Sequence, residues 1–162
     1  MKRAIYPGSF DPITYGHMDI INRALQLFDS LVIGIGIHIE KKPLFTTDER
    51  LEMIKSLYKN EPKIKVVSFE TLLVDFAKSV DAQFIVRGLR AVSDFEYEFQ
   101  MALANRKMYP ELESVFLMPS EKYIYLNSSL VKTISSFDGK FECFVPPLVS
   151  QNLRDKFNLK KK

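Results

Sequence analysis

Residues 6–17 read YPGSFDPITYGH. Within these twelve residues fall two prolines, two glycines, a serine, an aspartate and one of the chain's two histidines. Such a mixture suits anion binding. Gly8 lets backbone approach a ligand, Ser9 adds a hydroxyl, His17 adds a ring N–H, and the helix that follows opens with amides lacking internal partners. The same residues also read as a tight Gly/Pro turn ending in a surface histidine, because such turns are common between strands and helices. A helix terminus alone supplies about 0.3–1 kcal/mol toward an anion, whereas enzymatic acceleration needs at least about 8 kcal/mol. Further groups must converge on the loop. Candidates are the basic pairs Lys41–Lys42 and Arg87 with Arg90. Other chemistries lack their residues: there is no G-x-x-x-x-G-K-[ST] loop, no G-x-G-x-x-G fingerprint and no zinc-ligand spacing. His38 reads as the end of a strand, and Asp11 as a turn aspartate before Pro12 rather than a metal ligand.

The elements that must position these groups alternate along the chain. Short apolar runs at about 2–6, 30–38, 65–69, 83–87 and 114–118 read as strands. Amphipathic stretches at about 17–28, from 46, near 71–80, from 93 to near 110, from 128 to about 137 and after Pro146–Pro147 read as helices. Thr46 with Glu49, and Ser93 with Glu96, fit capping boxes. Ser128 or Ser129 fits the cap of the fifth helix, and Asp138–Gly139 its stop. Gly34 and Gly36 suggest close approach of another backbone or a ligand. The pattern predicts one α/β domain over residues 1–162, with a five-stranded, mainly parallel sheet and helices on both faces, and a frayed basic tail at about 158–162. In such sheets ligands bind beyond the carboxyl ends of the strands. The opening loop, the lysine pair and the arginine pair all fall at such ends.

Bulk properties narrow the class. The 162 residues suit one core, and 46% hydrophobic with 27% charged residues is ordinary for a globular protein. A single cysteine, Cys143, excludes an internal disulfide and favours a reducing, cytoplasmic setting. No leader or membrane-length apolar run is read. The net charge of +3 equals the charge of the tail Lys160–Lys162, so neither a nucleic-acid nor a membrane partner is expected.

Thr14–Tyr15–Gly16–His17 is the T-x-G-H form of the motif of the nucleotidyltransferase α/β-phosphodiesterase superfamily. Together with KKPLFTTDER, RGLRAVSDFEYEFQMALANRKMYPELESVFLMPS and SSLVK, in order and spacing, it resembles the bacterial phosphopantetheine adenylyltransferase family. The resemblance implies a dinucleotide-binding-like fold, transfer of AMP from ATP to 4′-phosphopantetheine, Mg2+ bound mainly through the ATP phosphates, and a homohexamer. Dephospho-coenzyme A and coenzyme A follow as product or feedback ligands. By position it implies that His17 stabilises the transition state and that Lys41 and Arg87 hold the acceptor, with Ser9 and Leu73 also at the acceptor. It places Ser9, Phe10, His17, Gly88, Leu89, Arg90, Glu98 and the segment Tyr123, Ile124, Tyr125, Leu126, Asn127, Ser128, Ser129 at ATP. Two features depart from the family. Ser9 stands where most members have threonine, and Asn127 replaces the first serine of a trio in a segment the family usually leads with tryptophan.

That reaction suits the residues. A phosphate monoester is already ionised and needs no general base, and pyrophosphate needs little acid. Catalysis then rests on positioning and charge stabilisation. Other readings are a nucleotidyltransferase of the same superfamily acting on nicotinamide mononucleotide or a phosphorylated alcohol, a non-catalytic nucleotide sensor, and a nucleic-acid module. In the long helix, Phe95, Phe99, Ala102 and Leu103 form one apolar stripe and Tyr97, Met101, Ala104 and Met108 another. One is expected to serve the core and the other a pocket or a partner subunit.

Overall fold

A computed structural model describes residues 1–37, 42–90 and 92–159. His38 and Lys41, both weighed above, and the tail residues 160–162 lie outside the described residues. The chain alternates β1 (Arg3–Gly8), α1 (Tyr15–Leu27), β2 (Ser30–Gly36), α2 (Thr47–Leu57), β3 (Ile64–Phe69), α3 (Leu73–Ser79), β4 (Phe84–Gly88), α4 (Val92–Met108), β5 (Glu113–Leu117), α5 (Ser128–Ser136) and α6 (Pro147–Phe157). The five strands pair in the order β3-β2-β1-β4-β5, every pair parallel. The order reverses between β1 and β4. That switch point is where a doubly wound sheet opens a crevice.

Strand alternation divides the core in two. Ala4, Tyr6, Leu31, Ile33 and Ile35 face one side, where they pack with residues of α1, α2, α5 and α6. Ile5, Val32 and Ile85 face the other, against Val74, Phe76 and Ala77 of α3. The sheet is therefore covered on both faces, as the apolar strand runs require. Gly34 serves neither a ligand nor a neighbouring backbone: a Cβ there would lie 2.6 Å from the Phe76 ring and 3.1 Å from Phe69. Those two rings stack with centroids 4.2 Å apart and occupy the room.

Local chemistry sets the ends of the helices. Thr46 and Glu49 form the capping box their spacing predicts. Helix α4 starts at Val92, so Ser93 lies inside its first turn instead of at its cap. The cap of α5 is Asn127, whose side chain accepts from the Leu130 N–H at 2.8 Å, rather than Ser128 or Ser129. Its shorter neighbours sit already within the helix. Asp138 ends α5 in the left-handed region at φ 52°, and the Gly139 N–H returns to Ile134. Asn158 caps α6 in the same way, and Leu159 packs on the core, so these two residues belong to the fold rather than to a frayed tail. No helix among the described residues is long and apolar enough to cross a membrane.

Helix α4 reverses the expected polarity. Phe95, Phe99 and Leu103 are exposed, and so are Tyr97 and Met108. Neither stripe is buried in the core. Among its described side chains, the buried and half-buried positions are Asp94, Glu98, Met101, Ala102 and Asn105. Glu98 and Asp94 pair with Arg87 near the end of β4 and Arg90 just beyond it, respectively.

Candidate active site

A cleft of about 680 Å³ opens beyond the carboxyl ends of β1 and β4. The β1–α1 loop supplies Ser9, Phe10 and His17, the end of β4 supplies Arg87, Gly88 and Arg90, α4 supplies Glu98, and the α5 approach supplies Tyr123, Leu126, Asn127, Ser128 and Ser129. Thus four separate segments singled out in the sequence meet in one concave site. Leu89, Ile124 and Tyr125 do not line it, nor does Leu73. Leu73 packs on the second core cluster, the Leu89 N–H bonds to the Leu117 carbonyl, and Tyr125 is exposed with its ring edge toward Phe144.

The T-x-G-H motif is a capping box. Thr14 is the N-cap of α1, its hydroxyl accepting from the His17 N–H at 3.4 Å. In return the His17 ring closes on Thr14: Nδ1 accepts from the Thr14 backbone N–H at 3.0 Å and lies 3.0 Å from its hydroxyl. Glu or Gln usually fills that reciprocal position. An occupied acceptor at Nδ1 leaves the ring proton on Nε2, so the neutral ring offers an N–H to the cleft. The first-turn amides are less available than a bare helix end suggests. Tyr15 N–H donates to the Phe144 carbonyl and His17 N–H to Thr14, which leaves that of Gly16.

Burial first, and the nearby Arg90 charge second, hold the His17 pKa down to about 4 from its ordinary 6.5. Between pH 6.5 and 4 the unfolded chain takes up a proton that the folded ring refuses. His17's contribution to stability is therefore whole above pH 6.5 and is lost as pH falls toward 4. In ring-nitrogen NMR, His17 is expected as the Nε2–H tautomer titrating near pH 4. A midpoint near 6.5 would contradict the burial of the ring beside Arg90.

Arginines at and just beyond the end of β4 meet acids from α4. Arg87 makes a bidentate pair with Glu98, with its Nε 2.8 Å from one carboxylate oxygen and NH2 on the other, and its NH1 donates to the Pro7 carbonyl at 2.9 Å. Burial works against this charge, but Glu98 outweighs it and the Arg87 pKa is raised. The planar fork is thereby fixed in orientation. Arg90 pairs with Asp94 at 3.5 Å, both partly exposed, and reaches the Leu126 carbonyl at 3.4 Å. This pair orients more than it stabilises.

Contacts from distant segments lock the loop. Asp11, buried, accepts from the Leu44 and Phe45 N–H groups and from the Lys132 ammonium, each at 2.9 Å. It is a structural clamp joining the loop to the approach of α2 and to α5. Ser128 donates its hydroxyl to the Pro12 carbonyl at 2.8 Å, so that hydrogen is committed to the loop. Gly8 is needed because a Cβ would lie 2.9 Å from the Phe10 ring. Phe10 itself sits in the left-handed region at φ 47°, its ring packed edge-on against Tyr6 and His17. Arg50 of α2 is also buried. It donates to the carbonyls of Ser9 at 2.8 Å and Thr46 at 3.3 Å and to the Thr47 hydroxyl at 3.2 Å. Burial lowers the Arg50 pKa, partly opposed by the charge of Asp11. A sequence signal for Arg50 exists: with Met53 and Ile54, both buried, it shares the inward stripe of α2. Asp19 holds the segment after β5 through the Ser120 N–H at 2.8 Å and hydroxyl at 2.6 Å.

Residues 5–134 match the cytidylyltransferase-like family. A phosphopantetheine adenylyltransferase of Caldanaerobacter subterraneus subsp. tengcongensis is 54% identical over 157 residues, 97% of this chain and 98% of that protein. One from Dictyoglomus turgidum is 49% identical over 160 residues, 99% of this chain and all of its own length. Among solved structures, a Plasmodium falciparum nicotinic acid mononucleotide adenylyltransferase complexed with NaAD superposes with a TM-score of 0.67 at 18% identity, covering 98% of this chain and 97% of that one. This last likeness is one of fold. With a cleft at the β1/β4 switch point, an intact T-x-G-H cap and near-full-length identity of about one half, the chain belongs to the cytidylyltransferase-like family and, within it, to the phosphopantetheine adenylyltransferases.

Proposed function

We propose that the protein transfers AMP from ATP to 4′-phosphopantetheine, releasing pyrophosphate and forming dephospho-coenzyme A. An oxygen of the acceptor phosphate attacks the α-phosphorus, the bond from that phosphorus to the bridging oxygen breaks, and pyrophosphate leaves with the electron pair. The acceptor oxygen is ionised at pH 7, so no residue needs to remove a proton from it. The observation that carries this reading is His17 lining the cleft with Nδ1 accepting from the Thr14 N–H, which puts the neutral ring's proton on Nε2. It donates to oxygens of the α-phosphate as charge accumulates there. Arg87, held in the fork of Glu98, presents its remaining N–H groups to the acceptor phosphate, and Lys41 joins it. Ser129 and the first amides of α5 cradle the outer phosphates. Magnesium enters with the nucleotide as part of the substrate. Asp94 and Glu98 of the cleft are engaged with arginines, and the phosphates and water can supply the ion's oxygens.

Pyrophosphate release, coupled to a chromogenic readout, tests the reaction with ATP and 4′-phosphopantetheine. Release with nicotinamide mononucleotide in its place, and none with 4′-phosphopantetheine, overturns the choice of acceptor. ATP binding without release would leave a nucleotide sensor. Dephospho-coenzyme A and coenzyme A are proposed to occupy the same cleft as product and feedback ligands.

The outward face of α4 supports a homohexamer. Phe95 and Phe99 stack with centroids 5.7 Å apart, and with Leu103 they leave an apolar stripe in solvent. Light scattering is expected to give six times the chain mass at micromolar concentration. A monomer there would refute the assembly.

A further inference from the structure

We propose that Arg50 is a positioning residue which sets the Ser9–Phe10 peptide so that the Phe10 N–H is presented to a phosphate in the cleft. The inference rests on the nucleotide-binding reading of that cleft. Arg50 does not line the cleft; it lies behind the loop and reaches the site only through backbone. Its NH1 holds the Ser9 carbonyl at 2.8 Å. In a planar trans peptide, the carbonyl and the following N–H point in opposite directions. Fixing the Ser9 carbonyl toward Arg50 therefore turns the Phe10 N–H away from Arg50, and both Ser9 and Phe10 line the cleft.

The backbone needs such a restraint. Phe10 has φ 47°, a conformation a phenylalanine seldom adopts. Rotation of the preceding peptide plane would relieve it and withdraw the N–H. The guanidinium resists this because its own place is determined from two other sides, by the Thr46 carbonyl and the Thr47 hydroxyl at the start of α2. Arg50 makes no ion pair among the described residues; its three partners are neutral oxygens. A buried guanidinium spent on carbonyls fits orientation of backbone better than neutralisation of a carboxylate. The fork also matters. An ammonium on a lysine stem cannot span the Ser9 and Thr46 carbonyls at fixed angles as a planar guanidinium does.

The test compares wild type, Arg50→Met and Arg50→Lys, each by crystal structure, by calorimetric ATP affinity, and by kcat and acceptor KM. For Arg50→Met, the Ser9–Phe10 peptide is expected to turn, with Phe10 leaving positive φ. Turnover is expected to fall at least about 10-fold, as for loss of a hydrogen bond that matters to the transition state. Acceptor KM should stay within about threefold. Arg50→Lys should fall between the two, about 3- to 10-fold below wild type. A residue that merely stabilised the fold would lower the melting temperature and leave turnover per folded enzyme intact. Wild-type turnover in either variant, provided it is folded at the assay temperature, overturns the proposal. So does a turned peptide without loss of turnover. If Arg50→Met does not fold, Arg50→Lys decides alone. Wild type releasing no pyrophosphate would instead count against the reaction, and the peptide orientation and ATP affinity would still judge Arg50.

Discussion

Replacing His17 with alanine is expected to lower turnover by about 10²–10³-fold while the ATP dissociation constant changes less than threefold. The asymmetry follows from the ring's state. With Nδ1 accepting from the Thr14 N–H and the pKa held near 4, Nε2 carries a proton at neutral pH. It can give a hydrogen bond and cannot accept a proton. A bond to phosphate oxygen strengthens as charge moves there, so its loss falls on the transition state. A general base would show turnover falling as the ring protonates near its ordinary pKa; here no His17 inflection is expected between pH 5 and 8. Because His17 also completes the cap, alanine removes stability as well as a donor. His17→Gln separates the two. Glutamine is a normal reciprocal partner at this position and keeps the cap, but it places no imidazole N–H at the cleft. The glutamine variant should melt close to wild type and turn over close to alanine. Turnover of His17→Ala within threefold of wild type, a difference of roughly 0.65 kcal/mol, would end the proposed role.

Arg87→Met is expected to lower kcat/KM for the acceptor at least about 10-fold, with ATP affinity changed much less. Its guanidinium is the cation that the described cleft holds most firmly, by Glu98 on one side and the Pro7 carbonyl on the other. Methionine preserves the stem and removes the fork. It also strands the largely buried Glu98 carboxylate, so folding stability should drop by about 1–3 kcal/mol. The pair Arg87→Met with Glu98→Gln is expected to recover part of that stability and none of the acceptor use. Denaturant melts and initial rates over an acceptor series read both effects. Recovery of activity in the double variant would show that Arg87 acts only by neutralising Glu98.

Much of this architecture is visible in the chain because it rests on local rules. Apolar β-branched runs such as 31–35 mark buried strands, and Thr46 with Glu49 marks a helix start from three residues' spacing. The convergence of strand ends follows from parallel topology alone. What escaped depends on reciprocity across distance. Helix α1 begins at Tyr15 and not near 17, since the residue read as a free ring donor is itself half of the cap. Asp11 looks like a turn residue until Leu44, Phe45 and Lys132 arrive from elsewhere to satisfy it. Helix α4 misled most: Phe95, Phe99 and Leu103 face outward, Tyr97 lines the cleft, and Glu98 turns inward onto Arg87.

With the proposed donor also the cap, the chemistry would rest on the least secure part of a helix. First turns open far more often than whole domains do. Whenever the Thr14–His17 bracket lets go, Nδ1 loses its partner, the ring is free to rotate, and Nε2–H no longer has a defined aim. The protein can thus be fully folded by any global measure while the proposed donor is out of position. The staple that limits this idling is remote in sequence: the Tyr15 N–H on the Phe144 carbonyl, at 2.9 Å, pins the same turn from the stretch between α5 and α6. Phe144, which does not line the cleft, would thereby share control of the fraction of time the proposed donor is aimed.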